Sequence, residues 1–410
     1  MTGKSLSDWL SYIESQHTSE IELGLDRGLK VLQDLNLIRP HKKVITVAGT
    51  NGKGSTCQLI TQYLISIGRT VGTYTSPHFL YFNERVALNG ANCSDELLIR
   101  AFERIEAVRK DIPLTYFEFS TLAALLIFSE SNLDYWVLEV GLGGRLDSVN
   151  MVDTDLAVVT SIALDHVDWL GDSLEVIARE KAGISRPEKP IVSGVVTPPD
   201  SISDVASRIG APLYQKGKDF TYRIDSDQSW TWQSKQHHFS NLPLPSLPIE
   251  NAATVMQVLT LLDEPITQEH LVSLFANTTL RGRFELVEHE PDVYIDVAHN
   301  PEAAKELKSR VSNLASKPIA VVGMLKDKDV SSVLATLENV FESWYVCSLN
   351  APRGAVKEEL LECIESNAFG FDAFEHAYNE AVTEARNKGC SVVVFGSFVT
   401  VSQYLELHNV

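Results

Sequence analysis

The chain has 410 residues, 44% of them apolar and 22% charged, and a formal net charge of −19. This is the composition of an ordinary soluble protein with room for two or three domains, and so acidic a chain is a poor fit to nucleic acid or an anionic membrane. The opening MTGKSLSDWLSYIESQ has neither an apolar signal core nor an arginine-rich transit pattern, and no stretch reaches the apolar length of a membrane span.

The first 40 residues read as helices, with Trp9, Leu10 and Ile13 on one face and Leu25, Leu29, Leu32 and Leu35 on another. A strand over 43–48 runs into a glycine-rich turn and a helix. Apolar strands over 70–74, 135–140, 156–162 and 190–195 then alternate with helices over 95–109, 119–130 and 173–183. Short apolar strands separated by helices imply a mostly parallel sheet covered on both faces. Residues 212–248 break the rhythm with Trp230, Trp232, the pair His237–His238 and NLPLPSLP, and read as a small antiparallel excursion followed by an extended connector. The histidine pair has no nearby acidic or Cys partner and belongs to a surface strand. Around Arg281 a second α/β unit begins, with strands over 293–297, 319–323, 344–348 and 392–395. The expected fold is α/β in two domains. An N-terminal domain over 1–280 carries a P-loop-type, mostly parallel sheet with flanking helices, and a smaller Rossmann-like domain covers 281–410. Cys57, Cys93, Cys347, Cys363 and Cys390 are scattered, odd in number and without a CxxC, so a reduced, cytoplasmic chain with mostly buried thiols is expected.

The strongest local signal is VITVAGTNGKGST, residues 44–56. Glycines Gly49, Gly52 and Gly54 let the N–H groups around Thr50 and Asn51 approach phosphate oxygens, and the following helix adds its dipole. Lys53 suits the β- and γ-phosphates, and Ser55 a bound Mg²⁺. The spacing departs from GxxxxGK[ST], because too few residues precede Gly52 and Gly54 intervenes. The competing reading is a plain strand-to-helix turn, to which a lysine and two hydroxyls would be superfluous.

GTNGKGS resembles the phosphate loop of the Mur-ligase superfamily. Further segments narrow the resemblance to the folylpolyglutamate synthases: SPH at 76–78, ERV at 84–86, LTYFEF at 114–119, LEVGLGGRLD at 138–147, ALDH at 163–166, EKAGI at 180–184, GRF at 282–284 and DVAHNP at 296–301. TYFEF in particular is similar to the bifunctional bacterial members. The resemblance spans nearly the whole chain. It implies an ATP-dependent ligase for dihydropteroate, reduced folates and L-glutamate, acting as a cytoplasmic monomer with one or two Mg²⁺ ions, or Mn²⁺. The implied reaction transfers the γ-phosphate of ATP to the acceptor carboxylate, and the amine of glutamate then attacks the acyl phosphate. A carboxylate needs such activation to become an acyl donor, and phosphoryl transfer asks mostly for positioning and charge neutralisation.

Glu139 ends a very apolar strand, where a carboxylate is costly unless paired or metal-bound, so a Mg²⁺ ligand is preferred over a buried ion pair. Ser76, just past the strand over 70–74, is by itself a turn serine; the resemblance implies a metal ligand. His166 read from chemistry alone is a hydrogen-bonded loop histidine, since Mg²⁺ prefers oxygen; the resemblance again implies a ligand. Lys181 by pattern is an exposed helix lysine paired with Glu180 or Glu175, whereas the resemblance implies a carboxylated lysine in the catalytic centre. Ile21, Glu22, Leu23, Thr115, Tyr116, Phe117, Glu118 and Leu146 match positions that hold pteroate, with Tyr116 and Phe117 as plain core residues the alternative. Asn251 is either a helix N-cap or, by the resemblance, an ATP contact. Arg283 and Asp296 match ATP-contacting positions of the second domain, which reach ATP when the domains close. His299 and, more weakly, Ser397 would orient glutamate.

Two rivals remain at this point. Another Mur-type amide ligase is disfavoured by the early helices, by TYFEF and by the lack of a long N-terminal nucleotide-sugar domain. A P-loop switch protein is suggested by DWLG at 168–171, but no NKxD motif exists and the loop spacing is wrong.

Overall fold

The computed structural model describes residues 3–17, 22–37, 43–226 and 228–409. The chain divides into two compact units, Met1–Thr278 and Thr279–Val410.

The first unit is built on eight strands: β1 (Lys43–Ala48), β2 (Val71–Tyr74), β3 (Val86–Leu88), β4 (Ala91–Asn92), β5 (Tyr135–Glu139), β6 (Leu156–Val159), β7 (Ile191–Ser193) and β8 (Leu213–Gln215). Their order is β4-β3-β2-β5-β1-β6-β7-β8. Pairing is parallel except where β3 meets β2 and β4. β5 and β6 are buried at every position, and β1 at all but its first. That is why these strands are continuous apolar runs rather than alternating ones: helices cover both faces of the sheet. The register sets Val47 beside Glu139, Ala48 beside Val159 and Tyr74 beside Leu138. The exits of β1, β2, β5 and β6 therefore open together at the carboxyl edge, where α/β sheets hold ligands.

On one face, the helices Leu6–Glu14, Asp26–Asp34, Asp95–Arg109 and Tyr116–Glu130 share a core with Trp9, Phe102, Phe119, Trp136 and Leu138. The helix Lys53–Ser66 lies against β1, β2 and β5 and against the helix Ile249–Leu261. The stretch 212–248 contains an antiparallel sheet of β9 (Phe220–Ser226), β10 (Ser229–Ser234) and β11 (His238–Pro243). Trp230 and Trp232 are fully buried in it, and Trp232 Nε1 donates to Ala253 O at 3.0 Å, anchoring the excursion to the helix Ile249–Leu261. The stretch read as a connector is thus strand as far as Pro243, and His238 is exposed on it.

The second unit holds β12 (Arg283–Glu288), β13 (Val293–Asp296), β14 (Ile319–Val322), β15 (Ser343–Cys347), β16 (Ala368–Phe371) and β17 (Val392–Phe395), in the order β12-β13-β17-β14-β15-β16. Only β12 runs antiparallel to its neighbour. Val322, Phe341, Trp344 and Phe395 are part of its core. The chain is therefore α/β in both units, the larger sheet N-terminal and mostly parallel.

Two element limits differ from the sequence expectation. The helix expected from residue 119 starts at Tyr116, because Thr115 and Glu118 form a reciprocal capping box. β6 stops at Val159, because the next residues turn to grip the phosphate loop. All five cysteines are free; Cys57, Cys93 and Cys347 are buried and the other two half-buried. Among the described residues no helix is long and apolar enough to cross a membrane.

Candidate active site

The loop after β1 is held by β6's exit. Thr50 N donates to Ser161 O at 2.9 Å, and Asn51 N to Ser161 Oγ at 3.0 Å. Thr160 Oγ1 donates to Asn51 O at 2.6 Å, and Ala163 N to Thr50 Oγ1 at 3.0 Å. Gly49, at φ +156°, has no room for a side chain, since a Cβ would come within 1.8 Å of Thr160 Oγ1. Gly52 caps the helix Lys53–Ser66 in the left-handed region at φ 82°. Lys53 Nζ donates to Gly49 O and Thr50 O, both at 3.0 Å, and so folds over the loop it belongs to. Ser55 and Thr56 are buried, and neither hydroxyl has a hydrogen-bond partner among the described residues. A buried, orphaned hydroxyl costs free energy unless something satisfies it, and Ser55 lies in the first turn of the helix Lys53–Ser66. Asn251 is the third residue of its helix rather than its cap, and its amide packs against Gly52, 2.3 Å from where a Cβ would stand.

At the neighbouring strand ends, Ser76 N donates to Glu139 Oε2 at 3.2 Å, which brings these two residues together; Glu139 is 4% exposed. His166 lies past β6 in the left-handed region, φ 51°, with Nε2 3.9 Å from Asp165 Oδ1. Lys181 is buried rather than on the helix surface. Glu180 accepts from Arg145, with Nη2 at 2.9 Å, and Glu175 accepts from the N–H groups of Asp200 and Ser201. Gly144 lets the Gly141–Asp147 loop touch this helix, for a Cβ there would stand 2.6 Å from Glu180 O and 3.0 Å from Lys181 Cα.

The residues expected around the pteroate divide by burial. Thr115 and Glu118 are buried and engaged in the capping box, Thr115 N donating to Glu118 Oε2 at 2.8 Å. Tyr116 and Phe117 are half-buried. Phe117 lies 6.1 Å from Tyr74, centroid to centroid, and fills the space where Gly141 has no side chain. Leu146 O accepts from Gly24 N at 3.2 Å, joining the Glu22–Gly24 segment to this wall. Glu22 is exposed and Leu23 half-buried, while Ile21 lies outside the described residues.

In the second unit Arg283 pairs with Asp296 across β12 and β13. Asp296 Oδ2 accepts from Phe284 N at 2.8 Å and Oδ1 from Ala298 N at 2.7 Å, while burial raises its pKa. His299 Nδ1 lies 2.8 Å from Val297 O, which puts the neutral ring's proton on Nδ1. Ser397 is buried, and its hydroxyl caps the helix Phe398–His408 by accepting from Thr400 N at 3.0 Å.

Known proteins show the same arrangement of parts. Residues 47–241 match the Mur ligase middle domain, and residues 282–398 the Mur ligase glutamate ligase domain. A dihydrofolate synthase/folylpolyglutamate synthase of Escherichia coli is 44% identical over 404 residues, covering 98% of this chain and 95% of that one. The chain belongs to the dihydrofolate synthase/folylpolyglutamate synthase family. Among solved members, E. coli FolC in complex with DHPP and ADP superposes with a TM-score of 0.96 at 42% identity, covering 99% of this chain and 98% of that one. A bifunctional folylpolyglutamate synthase/dihydrofolate synthase with Mn, AMPPNP and L-glutamate bound gives 0.93 at 42% identity, over 99% and 98%.

In this family member the residues present suit a hard divalent cation. Among the described residues no three His, Cys, Asp or Glu side chains converge into a ready metal group. The candidate donors are the buried carboxylate of Glu139, the imidazole of His166 and the buried hydroxyl of Ser55. The carboxylate and the hydroxyl suit Mg²⁺ with substrate phosphates completing its shell, and the imidazole is the unusual member of the set. Three neighbours of this site went unremarked in the sequence. Asp147 is 3% exposed, with burial raising its pKa to about 6 against the pull of the N–H groups of Leu142 and Val149. Arg85, nearly buried, donates to His78 Nδ1 at 2.8 Å and stands 5.5 Å from the Tyr116 ring centre. Burial first and Arg85 second hold His78 down at about 4, so its ring is neutral and accepts. Arg27 is the third. Asp147 and Arg85 lay inside motifs already singled out; the carboxylate beside Leu146 was the available signal.

Proposed function

We propose that this enzyme joins L-glutamate to dihydropteroate, giving dihydrofolate, and to reduced folates, giving folylpolyglutamates. The observation that carries the reading is the meeting, at one sheet edge, of the phosphate loop, the Ser76–Glu139 corner and the wall of Thr115–Glu118 and Leu146. An acceptor carboxylate held by that wall lies where a γ-phosphate can be delivered to it.

The N–H groups of Gly52, Lys53 and Gly54 and the helix N-terminus cradle the phosphates. Lys53 exchanges its carbonyls of Gly49 and Thr50 for the β- and γ-phosphate oxygens. Ser55, Ser76, Glu139 and His166 hold Mg²⁺, which when bound neutralises phosphate charge. Lys181, which is buried, reacts through Nζ with CO₂; a C–N bond forms, a proton leaves, and the carbamate adds negative charge beside these donors. Asn251 orients the nucleotide against Gly52. Arg283 and Asp296, from the second unit, serve the transferring phosphate and the ribose hydroxyls. The acceptor carboxylate attacks the γ-phosphorus and ADP leaves. The amine of glutamate, oriented by His299, attacks the acyl carbon, and phosphate leaves with the original carboxylate oxygen. The composition and the five free cysteines fit a cytoplasmic monomer that binds neither membrane nor nucleic acid.

The deciding experiment is ADP release in the presence of ATP and glutamate, with dihydropteroate and with tetrahydrofolate as acceptor. Release dependent on both acceptor and glutamate is expected; release indifferent to them rules the reading out. Phe117→Ala refines it. The ring packs on Gly141 and Tyr74 and presents one half-buried face. Loss of a stacking surface should lower kcat/KM for dihydropteroate by about fivefold or more, less for tetrahydrofolate, and leave affinity for ATP alone. Parallel losses for both acceptors, with a lowered melting temperature and a few kcal/mol of stability lost with the packing, would make Phe117 a core residue instead.

A further inference from the structure

The acceptor pocket just proposed has walls from three separate stretches, Glu22–Gly24, Thr115–Glu118 and Leu146. One side chain outside that set touches two of them. Arg27, on the helix Asp26–Asp34, donates from Nε to Glu118 Oε1 at 3.2 Å, with Nη2 3.0 Å from the same oxygen. Its Nη1 pairs with the carboxylate of Glu22, and Nη2 donates to Glu22 O at 3.0 Å. The third stretch is joined by Gly24 N donating to Leu146 O at 3.2 Å.

The two carboxylates are not equivalent. The Glu118 side chain is 2% exposed and needs a partner, which it has in both Thr115 N and Arg27. The Glu22 side chain is 48% exposed and lies also 3.0 Å from His17 Nε2, so water and His17 would satisfy it at little cost without Arg27. A guanidinium required only to neutralise Glu118 has no need of Glu22. Here its fork spans both, and the backbone carbonyl of Glu22 besides, which only arginine's planar set of donors can do. The connection ties an exposed segment to a buried helix start.

We infer that Arg27 is a positioning residue for acceptor selection: it locks Glu22–Gly24 onto Thr115–Glu118, so that the pocket is preformed for a pterin–aminobenzoate acid without a glutamate tail. This rests on the pocket reading above. An acceptor lacking the tail takes its binding from this pocket, whereas one with a glutamate has further groups to contact. Preorganisation lowers the cost of binding and so acts on KM.

The test uses Arg27→Lys, Glu22→Gln and the double variant in the full chain. Each leaves Glu118 an ionic or backbone partner, and a melting temperature near wild type checks the fold. KM for dihydropteroate should rise about tenfold in Arg27→Lys through the lost bidentate geometry, with kcat and KM for ATP changed less than about twofold. KM for tetrahydrofolate should rise less. The double variant should be no worse than the poorer single one, because both cut one connection. Multiplied effects in the double variant, equal rises in KM for ATP and both acceptors, or an unchanged KM for dihydropteroate would each overturn the inference. Phe117→Ala run beside them separates the two levels: if it impairs dihydropteroate use while Arg27→Lys does not, the pocket stands and the role of Arg27 falls. If neither does, the pocket falls with it.

Discussion

Lys53→Ala should reduce acceptor-dependent ADP release by on the order of a thousandfold, the loss seen when a preorganised charged donor is removed from a developing negative charge. The chemistry is demanding at this point because phosphoryl transfer offers the protein little to do except position and neutralise. Lys53 is the first residue of its helix and is half-buried, with Nζ held by Gly49 O and Thr50 O at 3.0 Å each. The substitution removes those two hydrogen bonds, each worth about 1 kcal/mol net, and no core packing. Alanine also favours the helix. The variant should therefore fold, with a melting temperature lowered by a few degrees at most. The measurement is ADP release and nucleotide affinity on a protein whose circular dichroism and unfolding transition match the parent. Near-normal turnover in such a protein would end the assignment of the ATP site.

Glu139→Gln comes second in expected size. The side chain closes β5, is 4% exposed, and accepts from Ser76 N at 3.2 Å. Glutamine keeps the volume and one acceptor oxygen but loses the charge. If the carboxylate helps hold Mg²⁺, turnover should fall by about a hundredfold or more, with part of the loss recovered as Mg²⁺ is raised. Stability should hold or increase, since a neutral amide is cheaper to bury than a carboxylate. The two readouts oppose each other usefully: a structural ion-pair carboxylate would lose melting temperature and keep activity. Unchanged activity at ordinary Mg²⁺ would make Glu139 structural.

Much of the site was readable because it is local. A strand, three glycines, a lysine and two hydroxyls leading into a helix lie within residues 43–56, and the motif is made of neighbours in the chain. The strand over 43–48 and the helix over 95–109 appear with the expected limits, for their apolar spacing is long and regular. TYFEF was read for its aromatic rings, and the T-x-x-E capping box in the same letters was passed over; the helix starts three residues early for that reason. The end of β6 was overextended because its apolar run continues to Ile162, while the backbone leaves the sheet at Thr160 to hold Asn51.

By itself, then, the sequence determined the class of fold, the phosphate loop and, through the order of its motifs, the family. These are properties of hydrophobic period, of glycine and proline chemistry, and of short segments whose meaning does not depend on distant partners. The tertiary structure alone decided which residues meet. Asn251 is not a helix cap, because the helix Ile249–Leu261 begins two residues before it and sets it against Gly52. Lys181 reads as a surface lysine, yet the fold buries it. Glu118 is a buried helix cap, and the structure sets it against Arg27, about ninety residues earlier in the chain. Such pairings depend on which strand exits share a sheet edge and which helices cover it, and no local pattern in one sequence encodes them.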